Sequence, residues 1–168
     1  MDAQIEALQQ DIIQQAVKES AIGSLLQKAK VLAILLRDGS FREWADAEIQ
    51  GYAGRELALP DYRNCGCGIH ARFASMVMRG SQVFDPTQIE DAVGWERGSL
   101  SKKPIAISAS AIESHKASGK SLDFVMPGVD LRWLVSQILA PGVHCLSANF
   151  TISNTDLESV LAAVRSRV

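Results

Sequence analysis

Ile5, Leu8, Ile12, Ile13 and Ala16 recur at three- and four-residue intervals with glutamine and aspartate between them, so 3–19 reads as an amphipathic helix with a glutamine-rich far side. Gly23 breaks it, and Ser24 with Gln27 forms a capping box for a second helix. That helix carries Leu25, Leu26, Ala29, Val31, Leu32, Ile34, Leu35 and Leu36, with only a narrow polar stripe through Gln27, Lys28, Lys30 and Arg37. So apolar a helix is expected at the centre of the core, covered on two sides. Asp38-Gly39 is expected to end it at a residue able to adopt positive φ, and Ser40 with Glu43 forms a second capping box for a third helix. The face of that helix holds Phe41, Trp44, Ala45, Ile49 and Tyr52, with Glu48 among them, and a carboxylate so placed needs a partner. Gly51 and Gly54 loosen the helix, and Leu59 to Arg63 reads as a proline-fixed turn that leads into extended chain.

From Ile69 the period changes to two. Ile69, Ala71, Phe73, Ser75 and Val77 alternate with His70, Arg72, Ala74, Met76 and Met78, which predicts a strand, a turn at Arg79-Gly80-Ser81 and a short return over Gln82 to Phe84. Asp85-Pro86-Thr87 opens a short helix or loop, and 94–103 reads as loop. Pro104 to Lys116 fits a helix beginning at proline, although Ile105 and Ile107 alternate as a strand start would. Ser118-Gly119 closes that segment. Pro127-Gly128 precedes a helix over 129–139, stopped by Pro141-Gly142, and Val143 to Ile152 alternates as a half-buried strand. Thr155 with Glu158 makes a third capping box, and Leu157, Val160, Leu161, Val164 and Val168 mark a last helix that runs to the final residue. Having no glycine stop, that helix is expected to continue, with the chain forming part of a longer protein.

The expected fold is therefore α+β: an N-terminal helical hairpin section over 1–56 packed on a small, mostly antiparallel sheet in 57–168, with a C-terminal helix. A length of 168 residues fits a single domain. Hydrophobic residues at 47% and charged residues at 21% supply a sizeable core and remove the compositional case for disorder. A formal net charge of −2 gives nucleic-acid binding no bulk electrostatic support. Arg72, Arg79, Lys102 and Lys103 form the best local basic patch, and such scattered cations ordinarily make a solvated face. Three cysteines, an acidic glutamine-rich start and no long apolar run point to the cytoplasm, with reduced thiols and no membrane partner.

Chemistry is scarce in the pattern. Cys65, Cys67 and His70, with His144 and Cys145 further on, are the residue types that bind zinc, but one residue between the first two cysteines strains a shared tetrahedron, so no metal is expected. A cysteine nucleophile would need His70 or His144 beside it and an electropositive setting. No carboxylate cluster, phosphate loop or dinucleotide fingerprint is present, so no catalytic residue and no cofactor are assigned. His70, Arg72 and His144 remain as candidate binding residues.

The run from Ser24 to Ala33, then Trp44, then Glu48-Ile49-Gln50-Gly51-Tyr52, then Leu59-Pro60-Asp61-Tyr62-Arg63 resembles the AbiTii domain. In that pattern a capped helix leads to a tryptophan, an acidic residue before a tripeptide ending in Gly-Tyr, and a Pro-x-Tyr-Arg turn. Gln50 departs from the asparagine frequent there. Val164 to Val168 resembles the family's closing helix. The resemblance implies a bacterial phage-defence module tied to abortive infection and toxin-antitoxin logic. Trp44, Glu48, Gly51, Tyr52, Pro60, Tyr62 and Arg63 are its motif, and their physical reading is architectural, with Arg63 the natural partner of Glu48. The expected role is a non-catalytic regulatory or oligomerisation module, forming a homo-oligomer or serving a fused or companion effector. The alternative is a small toxin-like effector that grips nucleic acid or a nucleotide through Arg63, Arg72 and the strand face.

Overall fold

The computed structural model describes residues 2–125 and 128–168. Along the chain run α1 (Asp2–Val17), α2 (Ile22–Leu36), α3 (Gly39–Gln50), a 3-10 turn (Asp61–Arg63), β1 (Asn64–Gly66), β2 (Gly68–Ala74), β3 (Arg79–Phe84) and α4 (Pro86–Val93). There follow β4 (Lys102–Pro104), α5 (Ala109–Ala117), β5 (Leu122–Phe124), α6 (Leu131–Ser136), β6 (His144–Ile152) and α7 (Asn154–Arg167). The protein is α+β, with N-terminal helices, antiparallel sheets and a C-terminal helix. Its contacts fall into two compact units. One comprises the chain up to Arg63 with Ile105–Gly119 and Leu157–Val168, the other Asn64–Pro104 with Lys120–Asp156.

In the first unit α2 is the axis, in contact with α1, α3 and α5. Ile22, Leu25, Leu26, Ala29, Leu32 and Ala33 are buried, together with Ile12 of α1, Ala45 of α3, Ile112 of α5 and Leu157, Val160, Leu161 and Val164 of α7. The polar stripe of α2 reaches both neighbours: Lys28 pairs with Asp11 of α1, and Lys30 lies 2.5 Å from Asp46 of α3. Even so, Val31, Ile34, Leu35 and Leu36 stay 40–50% exposed.

The second unit holds a four-stranded sheet in the order β3-β2-β6-β5, wholly antiparallel, and the ribbon β1-β4. One sheet face presents Ile69, Ala71, Phe84 and Phe150 to Ile89 of α4, to Leu131, Leu134 and Val135 of α6, and to Leu100. Gly80 in β3 leaves room for the ring of Phe73 on the facing strand, from which a Cβ there would stand 2.9 Å.

Caps and turns lie a few residues from where the sequence pattern puts them, upstream for α2, α3, α7 and the β2–β3 turn and downstream for α5 and α6. The first helix turn of α2 begins at Ile22, ahead of Ser24, and its leading N–H is taken by both carboxylate oxygens of Glu113 at 3.1 Å. Helix α3 is capped by Asp38, which accepts from Phe41 N at 3.0 Å, so Ser40 lies inside the helix. Helix α7 is capped by Ser153, which accepts from Asp156 N, while Glu158 is held by Lys116 at 2.8 Å. A short side chain slightly upstream reaches the free N–H groups in each of the last two cases. The left-handed residue closing α2 is Arg37 at φ 57°, not Gly39. The β2–β3 turn falls at 75–78 instead of 79–81, because Ser75 Oγ accepts from Val77 N and Met78 N and Ser75 N donates to Met78 O. Pro104 ends a strand rather than opening a helix, and α5 starts behind its cap Ser108. The short strand β5 has no counterpart in the sequence reading, and α6 is shorter than 129–139, starting behind Asp130. Pro127 lies outside the described residues.

Candidate functional site

The motif residues converge on one carboxylate. Glu48, on α3 one turn after Trp44 and one turn before Tyr52, is fully buried, as is Arg63. Glu48 Oε1 accepts from the hydroxyl of Tyr52 at 2.8 Å and from that of Tyr62 at 2.6 Å, and Oε2 accepts from Arg63 Nη2. Arg63 Nη1 donates to the carbonyl of Ile107 at 2.7 Å and to that of Ile105 at 3.4 Å, and its guanidinium stands 5.3 Å from the Tyr52 ring centroid. The backbone joins the same knot, since Ile105 N donates to Arg63 O and Tyr52 N to Ala106 O. Gly51 makes the approach tolerable. It lies at φ +91°, and a Cβ there would sit 2.8 Å from the Ala106 carbonyl oxygen. Three stretches distant in sequence, 44–52, 60–63 and 105–107, are thereby fastened together.

Outside this knot lies a pocket of about 640 Å³ lined by Trp44, Tyr52, Pro60, Tyr62, Leu57 and Arg167, among others. Trp44 Nε1 donates to the Tyr62 hydroxyl at 2.8 Å, Phe41 stacks on the indole at 5.5 Å, and the Arg167 guanidinium lies 5.3 Å from its centroid. Desolvation, reinforced by the Glu48 carboxylate they face, pushes both phenols, Tyr52 and Tyr62, above the ordinary tyrosine value. Both are therefore held as neutral donors, and Glu48 spends its lone pairs on three internal donors. A carboxylate with no exposure and three internal donors braces the chain segments that supply them.

The AbiTii family profile matches residues 5–168, which carries the relationship through the middle of the chain as well as the two motif regions. The chain belongs to the AbiTii family. No curated protein and no solved structure matches it. Family membership associates the protein with abortive-infection defence. Within the AbiTii fold, the residues from Trp44 to Arg63 that carry the resemblance thus form an internal brace of the helical unit.

The other candidate residues lie in the sheet unit. His70, Arg72 and His144 share the sheet face opposite the core, since His70 pairs with Asn149, Arg72 with Ser147 and Ala74 with His144. His70 Nδ1 stands 3.9 Å from Asp123 Oδ2. Of the candidate basic patch Arg72, Arg79, Lys102 and Lys103, Lys103 is withdrawn from the surface. Lys103 is buried, donates to the Ser99 carbonyl at 3.2 Å and lies 4.7 Å from the Phe150 ring centroid. Cys67 donates its thiol to the Leu100 carbonyl at 2.9 Å, and burial pushes its pKa up to about 11, so the sulfur is a thiol at neutral pH and a poor nucleophile. Burial also raises Cys145. Among the described residues no cluster of three or more His, Cys, Asp or Glu is arranged to hold a metal ion. Among them, too, no helix is long and apolar enough to cross a membrane.

Two structural acids escaped the sequence reading. Glu90, fully buried on α4, accepts from Gly98 N at 2.9 Å and from Leu100 N at 2.5 Å and so closes the 94–101 loop. Glu113 on α5 caps α2 and accepts from Arg165 Nη2 at 2.9 Å. Glu90 did carry a signal: it follows Ile89 on the apolar side of an amphipathic helix, where a charge must find donors.

Proposed function

We propose that this AbiTii chain is a non-catalytic oligomerisation module of a cytoplasmic defence protein, and that it assembles with further copies of itself through α2. The carrying observation is the stripe Val31, Ile34 and Leu35. These residues follow one another at helical spacing and remain half-exposed although α2 already contacts α1, α3 and α5. A helix with three neighbours and apolar residues still facing water has more apolar surface than its own chain buries. The motif brace supports a non-catalytic role, because Glu48 is buried and accepts from Tyr52, Tyr62 and Arg63. An effector gripping nucleic acid through Arg63 draws no support from the geometry, since that side chain is fully buried.

Light scattering on the chain at micromolar concentration tests the reading. The expected mass is that of a dimer or larger, reduced to one chain by Ile34→Glu with Leu35→Glu. A strict monomer in the unaltered chain overturns it.

A further inference from the structure

The tip of the β2–β3 hairpin is a second anomaly. Turns ordinarily carry Gly, Pro, Asn, Asp or Ser. Here Ser75 organises the turn by accepting from Val77 N and Met78 N, and the residues it presents are Met76, Val77 and Met78. Met76 and Val77 are 103% and 93% exposed, more than any other large apolar side chain described. The charged side chains of β2 and β3 are arginines, with Asp130 at the start of α6 near enough to act on Cys145. Arg79 follows Met78 and faces Ala74 across the hairpin, His144 faces Ala74 from β6, and exposed Arg72 lies on the same sheet face. No Asp or Glu occurs between Asp61 and Asp85 or between Asp130 and Asp156, so β2, β3 and β6 carry no carboxylate in a chain of formal charge −2. The sheet's acid, Asp123 on β5, pairs with Thr151 at the end of β6 remote from His144.

An apolar point flanked by two arginines complements a surface that is anionic outside and apolar within. Nucleic acid would satisfy the arginines but offer Met76 and Val77 no apolar environment. We propose that the β2–β3 hairpin docks peripherally on membranes containing anionic lipid, with Met76, Val77 and Met78 at the headgroup and acyl boundary and Arg72 and Arg79 on lipid anionic groups.

Cosedimentation with phosphatidylcholine vesicles, with and without phosphatidylserine, tests this. Binding is expected only with phosphatidylserine, to fall with added salt, to fall about fivefold for each of Arg72→Gln and Arg79→Gln, and to be lost in Met76→Ser with Val77→Ser. The replaced side chains are exposed, so each variant should melt as the parent does. In Val77→Trp, indole emission should move to the blue on phosphatidylserine vesicles. No cosedimentation at millimolar lipid, equal binding by the Met76→Ser, Val77→Ser variant, or an unshifted Val77→Trp spectrum would each overturn the proposal. So would binding of single-stranded RNA, without vesicles, that needs the arginines and ignores the tip; it would assign the face to nucleic acid.

Discussion

Glu48 gathers Tyr52, Tyr62 and Arg63 onto one carboxylate, and its chemistry follows from having no exposure at all. Removing one partner of a buried ion pair leaves the other desolvated and uncompensated, so Glu48→Ala or Arg63→Ala should each cost about 3–5 kcal/mol in urea unfolding. An unchanged unfolding midpoint for Glu48→Ala would remove the pair from any account of stability. The phenols add a pH signature. The folded values of Tyr52 and Tyr62 are raised above 10.0, so the folded chain holds protons that the unfolded chain gives up. The stability they contribute is complete below pH 10.0 and is lost as pH rises above it. Thermal melts taken into alkali should therefore fall in that range, less steeply for Tyr52→Phe; an identical slope in the variant would place the loss elsewhere. Much of this residue-scale picture was legible in the sequence. A carboxylate on the face of Trp44 and Tyr52 demands a donor, and Arg63 after a proline turn was in position to supply it. The carbonyls of Ile105 and Ile107 were not legible, because backbone acceptors leave no trace in residue type.

At the scale of elements, periodicity found the long helices and the strands β2, β3 and β6, and it failed where a feature is fixed by a distant partner. Ser24 has the residues of a capping box, yet α2 begins before it because Glu113, 91 positions later, takes the Ile22 N–H. A local pattern cannot encode that contact. Glu113 also accepts from Arg165, so one carboxylate ties α2, α5 and α7. Glu113→Ala should cost about 1–2 kcal/mol, in the range of a lost helix cap. Amide exchange should rise first at 22–25, and exchange unchanged there would show that the cap does not hold α2. The three-residue strand β5 was invisible for a different reason: Leu122, Asp123 and Phe124 are too few to establish a period of two.

The molecule as a whole departs from an even distribution of its apolar and charged residues. In the helical unit apolar surface is left over along Val31, Ile34 and Leu35; in the sheet unit, whose acidic and basic side chains balance, Arg72 and Arg79 stand on strands without carboxylates. Neither feature strengthens the unit that carries it, and each is proposed above to meet a partner of a different kind. The greasiness of α2 was plain in the sequence and predicted a central helix covered on two sides, as its contacts with α1, α3 and α5 bear out. That the covering would stop short of Ile34 and Leu35 was not plain, because periodicity says which face is apolar and not how many neighbours arrive. Sedimentation equilibrium over a range of concentrations, comparing the chain with its Ile34→Glu, Leu35→Glu variant, tests self-assembly through α2 most directly. Self-assembly through α2 requires a concentration-dependent mass above that of one chain, abolished in a variant that melts like the parent. A single-chain mass at every concentration, or an assembly that the variant leaves intact, would contradict it.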